Sequence, residues 1–364
     1  MYYYNIHDII KINSNVYLQE LEYFNTEKIH EPDITLDVKS FSDDPDMSKF
    51  RSGRKLITEN FPPENSSYTI KYTEHFGSSG AQFKVYIKND KIDIFINKLI
   101  STSKHVVYVN LVEPILRFLF VSKGFILLHS ACMSTPNNNG FFLSAPPDTG
   151  KTTTVIKCVK NGYSFLSDDM TIIRLPNEAI CFPKSMTISS HTYKTAVEAQ
   201  SSSKDVDTSN KFGMRIRSIV HSKGGRSFMH KLADHNVPIF TINTIGQSKV
   251  KPPKYHIKDI IKNTKIQEKT TANFLFFLEK GEEEKIEKIS IDLALEKAIE
   301  NSDDAFLFPP YSDLIKYIIV NGKSAKELLA EEERALKIIL ENIECYILKS
   351  NNRNWANMLM EKFK

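Results

Sequence analysis

Eight residues, Ala145-Pro146-Pro147-Asp148-Thr149-Gly150-Lys151-Thr152, carry the most specific chemical signal in the chain. They match GxxxxGK[ST] at every fixed position except the first, where Ala145 stands for Gly. In this spacing a strand delivers the chain to a tight loop whose backbone N–H groups wrap phosphate oxygens, and the helix that follows presents its positive end. The Lys151 ammonium is then expected to reach terminal phosphates, and the Thr152 hydroxyl to hold Mg²⁺. Pro146 and Pro147 lack N–H groups, so the donors left are the amides of Asp148, Thr149, Gly150, Lys151, Thr152 and Thr153. The competing reading is a degenerate or coincidental loop.

Asp168 and Asp169 follow the apolar run Tyr163 to Leu166. At the carboxyl end of a parallel strand beside the loop, one carboxylate would accept the proton of an attacking hydroxyl and the other would hold Mg²⁺. A solvated turn capped by Asp is the bland alternative. His129 ends the run Phe125 to Leu128 and is read either as a satisfied core residue or as a partner that tunes Asp168. The hydroxyl-rich stretch Phe182 to Thr192 contains Lys184, which would neutralise substrate or phosphoryl charge unless the stretch is a surface hairpin. Arg226, behind Gly224-Gly225, is a candidate phosphate clamp, against a solvated basic face.

The elements that must position these groups are legible in outline. Before about Val107, apolar residues recur in period two, as in Phe83-Lys84-Val85-Tyr86-Ile87 and Ile92-Asp93-Ile94-Phe95-Ile96, with a turn at Lys88-Asn89-Asp90. This predicts a β-rich module. Tyr108 to Val121 reads as a helix, with Pro114 at its first turn or at a kink. Strand candidates at Phe125–Leu128, Gly140–Leu143, Tyr163–Leu166 and Met170–Arg174, with a helix at Lys151–Lys160, predict an α/β sheet. A hairpin through Thr135 to Asn139 would bring the Phe125–Leu128 strand beside the loop strand, and the loop strand, helix and Tyr163–Leu166 would form a compact βαβ unit. Pro238–Ile242 and Phe274–Leu278 are further strand candidates, Gln200–Asn210 is expected to be a mobile loop, and Ser324–Lys364 is expected to form one or two amphipathic helices.

The set LLHSA, APPDTGKTT and YSFLSDD, in this order and spacing, resembles the catalytic core of the HPr kinase/phosphorylase family, whose phosphate-loop fold is shared with phosphoenolpyruvate carboxykinases. The resemblance is good over Gly124 to Arg174 and looser to Leu278. It implies an α/β P-loop core of that type, with an N-terminal β-rich module (1–118), the kinase-like domain (119–323) and a C-terminal helical tail (324–364). It also implies that His129 contacts Asp168, that Asp168 is the base toward a hydroxyl, and that Asp169 helps position the metal; Glu198 is a weak candidate for a further metal-binding Glu. The resulting expectation is a kinase using Mg²⁺ and ATP or another nucleotide donor. Its acceptor would be a hydroxyl of a small molecule, amino acid or (poly)peptide. The alternative is a non-catalytic or regulatory nucleotide-binding module.

Composition narrows the partners. The 364 residues are 41% apolar and 25% charged, as in ordinary globular chains, and exceed the size at which one core usually stops growing. A net charge of +4 over this length gives no reason to expect nucleic acid or an anionic membrane. The partners expected are therefore the nucleotide, the hydroxyl-bearing substrate and, as a further candidate, a second copy of the chain. Four dispersed cysteines with no CxxC pair, and an N-terminus without a secretory pattern, predict a reduced, cytoplasmic protein.

Overall fold

The computed structural model describes residues 1–49, 52–62, 67–77, 79–146, 149–188, 192, 195–196, 198, 232, 235–249, 254–306 and 309–364. The chain divides into two compact units, Met1–Lys123 with Lys223–Lys251 and Phe306–Ala330, and Gly124–Ser222 with Pro252–Ala305 and Glu331–Lys364.

The first unit is built on a mixed seven-stranded sheet. Its strands are β1 (Tyr2–Ile6), β2 (Ile10–Ser14), β3 (Ile34–Val38), β4 (Gly53–Glu59), β5 (Ser67–His75), β6 (Gln82–Lys88) and β7 (Lys91–Ile96), in the order β1-β2-β3-β7-β6-β5-β4. Period-two patterning selects the faces: Phe83, Val85 and Ile87 lie directly opposite Ile96, Ile94 and Ile92, and all six are buried. Asn89, in the tight turn between these strands, adopts the left-handed conformation (φ 56°) that asparagine tolerates.

Helix α1 (Lys104–Ser122) is apolar and long enough to cross a membrane, and 78% of that stretch is buried inside the protein, as expected of a core helix. It widens into a π turn at Tyr108–Val112, just before Pro114. The proline has no N–H to continue the regular ladder at that point.

The Pro238–Ile242 run, expected as a strand, instead opens helix α3 (Ile239–Lys249). A buried carboxylate explains the difference. Glu74 accepts the Thr241 N–H at 2.7 Å and the Tyr72 hydroxyl at 2.6 Å, so it caps the helix start with an anion. Burial raises the Glu74 pKa, while these hydrogen bonds pull it down.

The second unit contains β8 (Phe125–Leu128), β9 (Ala131–Ser134), β10 (Gly140–Ser144), helix α2 (Lys151–Lys160), β11 (Ser164–Ser167), β12 (Thr171–Arg174) and β13 (Glu178–Ile180). After the short pair β14 (Met186–Thr187) and β15 (Lys254–Tyr255) come β16 (Lys269–Lys280), β17 (Lys285–Lys288) and helix α4 (Ile291–Phe306). The small hairpin β18 (Ile319–Val320) and β19 (Lys323–Ser324) belongs to the first unit. Helix α5 (Ala325–Glu341), β20 (Glu344–Ser350) and helix α6 (Trp355–Lys362) follow.

Nine strands of the second unit form a mixed sheet along β11-β9-β10-β16-β13-β12-β8, with β20 pairing both β16 and β17. The long β16 joins its parts, pairing β13 through Lys269–Thr271 and then β10 and β20 through its later residues. Because β10, β16 and β20 are mutually parallel, the loops after β10 and β20 leave from the same, carboxyl edge of the sheet.

Three local expectations change. The hairpin through Thr135–Asn139 joins β9 to β10, so His129 sits at the β8–β9 junction and β8 pairs β12. Strand β9 lies between β10 and β11, antiparallel to both, so the βαβ strands are parallel but not neighbours. The tail contains a strand as well as helices: Cys345 to Leu348 form a continuous apolar run buried in the sheet, which lacks the alternation of a half-exposed strand.

Trp355, the only tryptophan, is fully buried and donates its indole N–H to the Leu348 carbonyl at 3.0 Å. Trp355→Ala is expected to destabilise the second unit by about 3–5 kcal/mol in urea unfolding. A loss below about 1 kcal/mol would contradict this packing.

Candidate functional site

Strand β10 is buried along its whole length and ends at Ser144, from which Ala145 and Pro146 lead toward the loop; Pro147 and Asp148 lie outside the described residues. Thr149 donates its N–H to Pro146 at 3.3 Å. Gly150 (φ 130°) is the N-cap of α2 and offers no side-chain cap. Its conformation is costly for any residue with a Cβ, and an added Cβ would stand 3.0 Å from the Trp355 ring. Val155, Ile156, Cys158 and Val159 bury one face of α2, and Asn161-Gly162 ends it, Gly162 adopting φ 90°.

This anchorage carries Lys151 and Thr152 to the carboxylates beyond β11. Thr152 donates its hydroxyl to Asp168 Oδ2 at 3.0 Å. Asp169 Oδ1 lies 3.2 Å from His129 Nε2 and 3.7 Å from Lys151 Nζ, and Asp169 Oδ2 accepts from Lys184 Nζ at 2.6 Å. The structure thus brings together His129, Lys151, Thr152, Asp168 and Asp169. It differs from the expected pairing in one respect: the imidazole is on the second aspartate, because Asp168 is turned to Thr152.

The remaining candidates divide. Thr149 is buried in the loop, and the Thr153 hydroxyl donates to Thr192 at 3.2 Å, away from the aspartates. Glu198 is exposed, with its carbonyl taken by Lys160. Asp148, Arg226 and the Gln200–Asn210 stretch lie outside the described residues. Lys184 belongs to a buried segment, Phe182 to Met186, and not to a surface hairpin. The apolar neighbours Phe182, Met186 and Ile188 are the sequence signal for that burial.

Polar packing fixes the site from behind. Ser130, Ser167 and Thr171 form a buried hydroxyl network that ties the His129 turn to the end of β11 and the start of β12. His129 Nδ1 donates to the Asn301 carbonyl at 2.8 Å, and the Asn301 amide donates to Ser144 Oγ at 2.9 Å. Both ring nitrogens thus face oxygen atoms, Nδ1 the Asn301 carbonyl and Nε2 the Asp169 carboxylate. Asn301 of α4 has no local motif that marks it in the sequence.

The charges are strongly perturbed. Burial pushes Asp168 up from the ordinary 3.8 to about 6, against the pull of Lys151 and Thr152. The protein packed around Asp169 would raise that carboxyl too, but Lys184, His129 and Lys151 outweigh it and hold it well below the carboxylate range. Water screens these pairs in part, since 42% of the Asp169 side chain is exposed. Burial lowers Lys151, and the two aspartates raise it. Among the described residues the buried Lys151 ammonium has no hydrogen-bond partner, and neither has Asp168 Oδ1.

These orphaned atoms define what the site can do. A buried ammonium at a helix N-terminus suits phosphate oxygens. A buried carboxylate oxygen beside a threonine hydroxyl suits a hard divalent cation whose other ligands come from phosphate and water. Among the described residues no group of three or more His, Cys, Asp or Glu forms a self-sufficient metal site. The chain matches no protein-family model, and no curated protein matches it.

A pH experiment follows from Asp168. Its folded pKa lies above its unfolded value, so its favourable contribution is full below about 4 and is lost as pH rises through about 6. From 3.8 to about 6, at 1.36 kcal/mol per pH unit, the ionised group costs on the order of 3 kcal/mol above pH 6. Asp168→Asn is expected to gain stability over wild type between pH 4 and 7, read as diverging urea midpoints. A difference constant with pH would contradict the burial of an ionising group.

Proposed function

We propose that this chain is a Mg²⁺- and nucleotide-dependent kinase that transfers a phosphoryl group to a hydroxyl of a small molecule, an amino acid or a (poly)peptide. One observation carries the reading: the buried Lys151 ammonium, with no hydrogen-bond partner among the described residues and only a 3.7 Å ion pair to Asp169, stands with Thr152 at a helix N-terminus against two adjacent carboxylates that follow β11. A structural lysine would be fully paired, whereas this one matches a group that holds a donor phosphate.

The pairings favour an exchange of the two aspartate roles implied by the resemblance. Thr152 Oγ1 and Asp168 would hold Mg²⁺, the ion supplying charge neutralisation across the donor phosphates. Asp169, more exposed, would face the acceptor and take its hydroxyl proton. A carboxylate held so low is a weak base, but phosphoryl transfer through a loose transition state asks mainly for orientation. His129 and Lys184 would fix the Asp169 carboxylate, and a terminal phosphate would compete with it for Lys151.

The second reading, a nucleotide-binding module without turnover, is favoured by Ala145, Pro146 and Pro147, which leave the loop stiffer and poorer in donors. Two variants separate the readings. Asp169→Asn is expected to lower Mg²⁺-dependent phosphoryl transfer by about 100-fold or more while nucleotide affinity stays within about threefold. Lys151→Ala is expected to lose nucleotide binding. The acceptors to assay are pooled hydroxyl metabolites, amino acids and peptides. If wild type binds nucleotide but never exceeds Asp169→Asn in turnover, the binding module is the better account.

A further inference from the structure

We propose that Arg353 is a phosphate-binding residue of the same site, its guanidinium contacting the phosphate chain of the bound nucleotide beside Gly150. The proposal rests on the phosphate-loop reading above and adds a group from the far end of the chain.

Topology brings Arg353 to the loop. Strand β20 runs parallel to β16 and β10, so the turn after Ser350 opens on the same sheet edge as the loop after Ser144. The turn is built rather than loose. Ser350 Oγ accepts the Asn354 N–H at 2.9 Å and donates to Asn352 Oδ1 at 3.0 Å, and the buried Trp355 anchors its far end. From the position that a Cβ on Gly150 would occupy, Trp355 Cζ3 lies 3.0 Å away and Arg353 Cδ 3.6 Å away. The arginine stem therefore packs on the glycine that immediately precedes Lys151. Its guanidinium, bonded to that Cδ, belongs to the loop's surroundings.

Two further observations point to a ligand role. Arg353 holds a left-handed backbone (φ 62°), a conformation that glycine or asparagine would adopt with less strain. The loop also has a deficit to fill, since Pro146 and Pro147 offer no amide to phosphate, and a guanidinium fork supplies two parallel N–H donors of suitable geometry. Together with Lys151, the residue that follows Gly150, Arg353 would give the polyphosphate a second cation.

The test uses the full chain, with Trp355 emission as the probe, because the only tryptophan touches Gly150. Mg·ATP, Mg·ADP and magnesium pyrophosphate are titrated into wild type, Arg353→Gly, Arg353→Lys and Lys151→Ala. Calorimetry repeats any titration in which emission does not change. Arg353→Gly is expected to weaken all three ligands by roughly tenfold to a hundredfold, yet to melt no lower than wild type, because glycine accepts the positive φ. Arg353→Lys is expected to recover only part of the affinity. The proposal is overturned if Arg353→Gly binds within about twofold of wild type while Lys151→Ala does not bind. It is also overturned if Arg353→Gly loses melting temperature together with affinity and Arg353→Lys restores both, the pattern of a structural residue. If wild type itself binds none of the three ligands, this proposal falls together with the kinase reading.

Discussion

The organisation of the second unit turns on one unfavourable arrangement, the burial of the Lys151 ammonium without a hydrogen-bond partner among the described residues. Removing an ammonium from water costs several kcal/mol unless charge and hydrogen bonds replace the lost hydration. Here the compensation is incomplete: Asp169 stands at 3.7 Å, too far for a hydrogen bond, and Asp168 is itself pushed toward its neutral form. A protein selected for stability alone would pair this lysine or replace it with an apolar side chain. The arrangement, with the orphaned Asp168 oxygen beside it, is intelligible under the proposed reading, in which an anion and a cation complete the site together.

Much of the surrounding structure holds this arrangement in place. The buried face of α2 and the Trp355 ring against Gly150 fix where Lys151 emerges. The Ser130–Ser167–Thr171 hydroxyl network holds the histidine turn against the aspartate turn. Asn301 fixes the far side of the imidazole through its own carbonyl and ties α4 to Ser144, the last residue before the loop. These apolar and polar contacts together fix the positions of charges that would otherwise relax toward each other.

The contiguous parts of the candidate site were legible in the sequence, because the GxxxxGK[ST]-like run is a local object: strand, turn, lysine, hydroxyl, helix. So were β6 and β7, where strict alternation of isoleucine, valine and phenylalanine leaves one possible buried face. The parts decided by tertiary contact were not. No spacing rule distinguishes Asp168 from Asp169 as the partner of His129, since one residue of rotation at a strand end exchanges them. The helical state of Ile239 onward depends on Glu74, more than 160 residues away, and β20 is a buried run whose periodicity does not separate strand from helix. Lys184 was visible as a charge, but the apolar residues around it had to be read as burying it. Arg353 carried no motif, and its proximity to Gly150 comes only from the parallel path of β20.

The central claim is that this cluster is completed by a phosphate chain and a divalent cation at once. Thermal unfolding of the full chain with Mg²⁺ alone, with ATP, ADP or pyrophosphate in EDTA, and with each combined with Mg²⁺ tests it most directly. The account predicts a clear rise in melting temperature only when a phosphate ligand and Mg²⁺ are present together, by mass-action stabilisation of the folded state. Unchanged melting in every combination, or a full shift with Mg²⁺ alone, would contradict it.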